Sequence, residues 1–344
     1  MALGLFSTLI IGTIIQQIGL LIGGNIGDTL YLLGKFASAM TSAGIGVGVA
    51  YKFREPPLVV LSAATAGMVG GFASKILSES ILVENVIHLD GPGEPLGAFL
   101  AAYAAIEAGH FVSGKTKIDI LVTPLTTILI GSIVGLLAGP PISNFMTGLG
   151  AIVNWGTEQQ PLIMGIVVSV LMGMILTLPI SSAALGIILN LSGLAAGAAT
   201  IGCCCNMVGF AVASYRENKM AGLLAQGIGT SMLQMGNIVK NPRIWIAPIL
   251  TSAITGPLAT CLFKLQMNGT PVSSGMGTCG FVGKIGVYTG WMNDIAAGTK
   301  TAVTGWDWAG LLLISFILPA ILCPLINMFI RKLGWVKDGD MTLS

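Results

Sequence analysis

The sequence predicts an all-α polytopic membrane protein with about ten transmembrane helices and re-entrant or broken segments. Three observations predict it: few charges, long charge-free windows and abundant glycine. Of 344 residues, 9% are charged and 54% hydrophobic, and mean hydropathy is +0.88. Soluble domains average about 25% charged residues. A water-exposed globule of this size could not cover its surface with so few charges. Lipid is the solvent that such a composition requires. An ordinary cytosolic enzyme and a disordered chain are therefore excluded. The net charge of +2 is too small to imply a polyanionic partner such as nucleic acid.

Residues 1–27, 56–74, 120–157, 159–215, 220–239, 244–263 and 308–330 contain no Asp, Glu, Lys or Arg. A spanning helix needs about 20 mostly apolar residues. Spans are expected near 5–23, 29–51, 57–78, 95–114, 119–138, 161–180, 183–214, 221–240, 243–263 and 308–330. The stretch 183–214 is long enough to bend or break. No Lys or Arg precedes Lys35, so the first span lacks the basic start of a signal peptide and reads as a retained helix. Its Gln16–Gln17 pair predicts one face against protein rather than lipid. The 48 glycines are roughly twice the average share. They let helices approach closely and backbones break; Gly44 and Gly48 stand one helical turn apart.

Loop charges orient the chain. Lys52 and Arg54, Lys115 and Lys117, and Arg331, Lys332 and Lys337 fall on the cytoplasmic side by the positive-inside rule. The segment 79–94, with Glu79, Glu84, Asp90 and Glu94, then lies outside. Ten crossings place Arg216–Lys219 outside as well. That loop returns inside if 183–214 crosses twice and 221–240 is re-entrant.

The halves 1–158 and 159–344 share an order of features, which reads as a duplication inside one integral membrane domain. In the first, a helix ends at Lys52 and Pro56–Pro57, an apolar helix runs to Lys75, and Gly93-Glu94-Pro95 follows. In the second, a helix ends at Lys240 and Pro242, an apolar helix runs to Lys264, and Gly269-Thr270-Pro271 follows. Five spans per half imply an inverted repeat, whereas a span-by-span alignment suggests the same orientation. Both remain open.

Ionisable groups at membrane depth are costly, so they are functional candidates by default. Glu107 and His110 lie i, i+3 on one helix face, where a carboxylate and an imidazole can exchange hydrogen bonds with hydroxyls. The alternative is a helix end already at the interface beside Lys115 and Lys117. The loop Gly91-Pro-Gly-Glu94-Pro-Leu-Gly97 forbids regular helix. Broken backbone within a membrane lines a cavity or is buried, which would aim Glu94 into that cavity. An ordinary outside turn is the other reading. The uncharged stretch 268–280 suits a re-entrant hairpin or a flexible connection, with Thr270, Ser273 and Ser274 as hydroxyl ligands. Lys284 and Asp294 nearby could pair or bind. Gln226, Gln234 and Asn237 fall near one helical stripe. Their amides either face a cavity or bond between helices; Asn190 and Asn206 read as interhelical bonds.

The six cysteines show no metal-ligand spacing, and no cofactor is implied. Cys203-Cys204-Cys205 reads as small packing residues, or else as a thiol sensor or thiolate cluster. There is no G-x-x-x-x-G-K-[ST] sequence, no H-E-x-x-H, no arginine ladder and no Thr-Val-Gly-Tyr-Gly filter.

The run Gly93-Glu-Pro-Leu-Gly-Ala-Phe99, Glu107 and Ser113-Gly-Lys-Thr-Lys-Ile-Asp-Ile-Leu-Val-Thr-Pro124 resembles the perfringolysin-regulator-type membrane proteins. These are classed with the enzyme IIC subunits of the bacterial sugar phosphotransferase system. The resemblance implies a sugar-translocating, multi-pass subunit of the bacterial plasma membrane, commonly a homodimer, served by separate IIA and IIB phosphocarrier proteins. It also implies that Glu94-Pro95 corresponds to the Glu-Pro motif whose carboxylate contacts the sugar. No cysteine here resembles the phosphoryl-accepting cysteine of IIB, so no catalytic nucleophile is expected in this chain. The expected function is binding of a sugar or related polyol near the midplane between the halves, and inward passage by alternating access. An uncoupled small-solute transporter or channel, and a membrane sensor regulating gene expression, are the alternatives.

Overall fold

The computed structural model describes residues 1–83, 86–89 and 91–343. Glu84 and Asp90, part of the acidic segment assigned outside, lie beyond the described residues. The chain separates into two compact units, Met1–Thr147 and Gly148–Ser344, and is helical almost throughout.

In the first unit, helix α1 (Leu3–Ile22) and helix α2 (Gly24–Ala39) form a hairpin. Gly23 and Gly24 turn it, both at positive φ (+66° and +61°). A Cβ on Gly19 would meet the Gly27 carbonyl oxygen at 2.6 Å, and one on Gly12 would meet that of Gly34 at 2.8 Å. The two glycine pairs have equal sums of residue numbers, as an antiparallel pair of helices requires. Gln17 is buried and the Gln16 amide donates to the Ser38 hydroxyl at 2.8 Å, so these amides do face protein.

The expected span 29–51 is broken. Helix α3 (Thr41–Lys52) departs from α2 by 51°. Helix α4 (Pro57–Gly71) starts on a proline at its first turn, where the missing N–H costs nothing. It packs on α3 with Gly67 against the Ser42 carbonyl. Helix α5 (Pro95–Val112) also begins on a proline. It runs antiparallel to helix α6 (Asp119–Thr157), with Ala105 against Gly131 and Ala101 against Gly135. Helix α6 is 39 residues long and carries Pro124, Pro140 and Pro141. It continues well past the expected end at 138, and the boundary between the units falls inside it.

The second unit is built around one helix. After α7 (Pro161–Thr177) and the short α8 (Ser182–Ile188), the chain turns at Asn190, an exposed residue at φ +45°. It then enters α9 (Gly193–Ala213), in which every residue from Ala196 to Ala211 is buried. The long span 183–214 is therefore interrupted, as its length suggested. Helix α10 (Tyr215–Leu224), a wide turn at Ala225–Gly229 and α11 (Met235–Lys240) follow. Next come α12 (Pro242–Leu262), α13 (Val282–Ala296) and α14 (Gly305–Lys332).

Three π turns, Ala225–Gly229, Leu258–Leu262 and Leu313–Ile317, all pack against α9. Two of them adjoin prolines, Pro257 and Pro319. A proline removes one ladder bond and so favours a wider turn.

Among the described residues, six helices are long and apolar enough to cross a membrane, or seven if α2 and α3 count as one bent span. The expected spans 57–78 and 161–180 appear as shorter apolar helices of 15 and 17 residues. The expected span 221–240 is not one helix. Glycine and threonine at 227–230 interrupt it, and Thr230 is extended.

Close approach of α7 and α9 depends on Gly202, where a Cβ would overlap the Ser169 carbonyl. Gly202→Val is expected to cost at least about 3 kcal/mol, because neither backbone can retreat. Gly236→Val, at a position with nothing within 4 Å, is the control. Thermal melts of the two purified variants check this; equal melting temperatures would contradict it.

Candidate binding site and the family of the chain

The Gly91–Gly97 loop lies over the ends of α3 and α4. Gly91 and Gly93 adopt φ of +78° and +72°. A Cβ on Gly93 would meet the Ser42 hydroxyl and, at 2.9 Å, the Gly71 carbonyl. Only glycine fits that double approach. The Ser42 hydroxyl donates to the Pro92 carbonyl at 2.8 Å, and the Glu94 N–H donates to the Gly71 carbonyl at 2.6 Å. The loop is thus held in place, and Glu94 becomes the residue before the first turn of α5. Its Oε1 is buried with no hydrogen-bond partner among the described residues. Burial pushes this carboxyl, which lies outside the spanning helices, up to about 7.

The other first-half candidates lie elsewhere. Glu107 and His110 are exposed. His110 Nδ1 sits 3.1 Å from the Glu55 carboxylate, and the Tyr103 hydroxyl bonds to Glu107 one turn away. Glu94 and His110 are 16 residues apart on one helix, about 24 Å along its axis. One small ligand therefore cannot touch both. Glu55, whose side chain is only 6% exposed, escaped the sequence reading. Its signal was the position just before Pro56–Pro57, where a helix must start.

In the second unit, the three amides do meet, across the broken segment 221–240 rather than along one helix, and they are occupied. Gln226 and Gln234 are fully buried. The Gln226 amide donates to Ser214 at 2.9 Å, and the Gln234 amide donates to Gln226 at 2.9 Å and to the Met341 carbonyl at 3.0 Å. The Asn237 amide donates to Gln234 at 2.8 Å and to the Thr342 carbonyl at 2.9 Å. Segment 334–343 folds back over these amides, so Gln226 and Asn237 serve packing rather than an open cavity. Asn206 likewise bridges helices, accepting from Thr177 and from the Trp245 indole at 3.2 and 3.1 Å.

Ser273 and Ser274 are buried. The Thr270 and Ser273 hydroxyls bond each other at 2.9 Å, and Ser274 donates to the Pro271 carbonyl at 2.7 Å. The loop Gly269-Thr270-Pro271 opens a short 3-10 turn, Pro271–Gly275, where Gly93-Glu94-Pro95 opens a full helix.

Lys284 and Asp294 do not meet. The Lys284 ammonium donates to the Ser315 hydroxyl at 2.7 Å; Asp294 takes both its bonds from the Asn268 amide at 2.9 and 3.0 Å. The unit's other described acids are also occupied or exposed. Glu217 and Asp338 pair with Arg331, and Asp307 pairs with Lys300. Asp340 accepts from Asn241, and Glu158 is exposed.

Cys203, Cys204 and Cys205 are buried and unlinked. The Cys205 thiol bonds the Thr255 hydroxyl at 2.9 Å, and Cys203 lies 3.5 Å from the Met172 carbonyl. These are packing contacts. Among the described residues, no group of three His, Cys, Asp or Glu side chains could hold a metal ion. A cavity of about 490 Å3 opens beside α9 and α14, lined by Tyr215, Arg216, Asn327 and Arg331 among apolar side chains.

Long apolar helices, a bent helix pair and broken segments make this a polytopic all-α membrane protein. The chain belongs to the family described as Phosphotransferase system, EIIC, which matches residues 1–343. It is a sugar-transporting membrane subunit of phosphotransferase type. No curated protein matches the chain.

Proposed function

We propose that this chain binds a sugar or a related polyol and passes it inward, where separate IIA and IIB phosphocarriers phosphorylate it. Glu94 carries the reading. It is a buried carboxyl with an unmet oxygen on a glycine–proline loop, in a chain of the EIIC family. An unpaired buried polar atom costs about 1–3 kcal/mol, and a hydroxyl-bearing solute would remove that cost. A carboxyl titrating near neutrality can donate to one hydroxyl and accept from another. Ser42, Gly71 and Gly93 hold the loop so that the carboxyl is placed before the ligand arrives, which lowers the ordering cost of binding.

The halves 1–158 and 159–344 each carry one proline-led loop, and Thr270, Ser273 and Ser274 give the second its hydroxyls. Glu107 and His110, at the far end of α5, would act at another stage of passage than Glu94. The chain supplies binding and orientation; phosphoryl transfer belongs to the partners. In this reading the protein works as a homodimer in a bacterial plasma membrane.

Uptake of radiolabelled sugars, with and without phosphoenolpyruvate and the phosphocarriers, tests the proposal. Sugar phosphate should accumulate only in the complete system. Equal uptake without phosphoenolpyruvate would instead make the chain an uncoupled transporter. Normal uptake of every sugar by a deletion strain with altered transcription would make it a sensor.

A further inference from the structure

Lys284 presents a problem of charge. It is 9% exposed in a unit that lipid surrounds, and buried ammonium groups are stable only when paired. Among the described residues its side chain makes one hydrogen bond, to a neutral hydroxyl, Ser315 Oγ, at 2.7 Å. Among the described residues no carboxylate lies within 4.0 Å of it, and every described acid of its unit is engaged elsewhere or exposed.

The surroundings are built rather than accidental. Helix α13 begins with no side-chain cap, and its first three residues, Val282, Gly283 and Lys284, are all buried. A helix start leaves unpaired N–H groups and a positive dipole end, which adds to the lysine charge. The chain reaches this start through three left-handed residues, Gly277, Gly280 and Phe281, at φ of +54°, +51° and +60°. For Phe281 that conformation costs about 1–2 kcal/mol, and such strain persists where surrounding structure or function demands it. Ser315 itself sits in the π turn Leu313–Ile317, a device common at functional sites. Pro319, four residues on, has no N–H for the Ser315 carbonyl.

We propose that Lys284 is the counter-charge for an anionic group on the transported solute, so that the substrates are sugar acids, with a carboxylate as well as hydroxyls. This deepens the transport reading above and rests on it. On binding, the carboxylate would pair with the ammonium, to which no described acid comes within 4.0 Å, while Ser315 keeps its hydrogen bond to the side chain. A neutral sugar leaves that charge unpaired and is disfavoured.

Binding to purified protein in detergent, followed by calorimetry, decides it. The probes are D-glucuronate and D-gluconate against D-glucose and sorbitol. The unmodified protein should bind at least one acid at least tenfold more tightly than its neutral counterpart. Lys284→Met should abolish that preference, and Lys284→Arg should keep it within threefold. Should Lys284→Met fail to fold, the unmodified protein and the Arg variant still decide. Tighter binding of the neutral sugars would overturn this inference and leave the transport reading standing. Binding of none of the four would overturn both.

Discussion

Glu94→Gln lowers sugar uptake by about 10- to 150-fold, the equivalent of losing one hydrogen bond to a charged group. Gln keeps the shape and the polar contacts of the loop, so the amount of folded protein in the membrane stays unchanged. The same variant alters the dependence of stability on pH. Burial raises the Glu94 carboxyl from its ordinary 4.5 to about 7. The folded protein therefore holds that proton more tightly than the unfolded chain does. The resulting stabilisation is complete below the ordinary value and is lost as pH rises through about 7. It amounts to at most about 3 kcal/mol. Melting temperatures of the native protein should fall between about pH 4.5 and 7 on this account, the interval bounded by the two values, and those of the Gln variant should fall less. Parallel curves for the two proteins, or uptake within twofold of normal, would remove Glu94 from the site.

Removing residues 335–344 is expected to destabilise the second unit by more than about 5 kcal/mol. Val336 and Met341 are buried in a cluster with Phe210, Ile238 and Ile330, and each such side chain contributes roughly 1.5–3 kcal/mol. The deletion also strips carbonyl acceptors from Asn218, Gln234 and Asn237, leaving donors unmet at about 1–3 kcal/mol for each buried one. Glu217 loses the Gly339 N–H as well. Met341→Ala alone should cost about 2–5 kcal/mol. Thermal melts and protease sensitivity near Gln234 report the effect. A deletion variant that melts within 2 °C of the native protein, about what 0.5 kcal/mol produces, would show that the segment rests on the unit without holding it.

The physical reasons for success and failure differ between elements. The apolar helices α1 and α14 were legible because a charge-free run of about 20 residues has few fates other than lipid. The break at 183–214 was legible because the stretch exceeds the ~25 residues that one crossing uses, although the unbroken 39 residues of α6 show that length alone does not force a break. The split of 221–240 into α11 and wide turns was not legible, since Gly227, Gly229 and Thr230 are common in unbroken membrane helices too. The Gly91–Gly97 loop was legible from its two prolines and three glycines. Glu107 and His110 share a helix face as their spacing requires. Their partners, Tyr103 and Glu55, come from that helix and from the start of α4, and only the second depends on folding. Gln226, Gln234 and Asn237 do come together, but across a broken helix rather than along one helical stripe, and periodicity says nothing about which segment covers them. The covering segment lies more than 100 residues away in sequence.

Composition alone determined the solvent of this protein and its helical class, because hydrocarbon tolerates only backbones that satisfy themselves locally. Tertiary structure decided which polar side chains remain unmet. Ser42 and Gly71 fix the Glu94 loop, segment 334–343 consumes the amides, and every described acid of its unit lies out of reach of Lys284. Pairing of that kind depends on contacts between residues far apart in the chain, which no local pattern encodes.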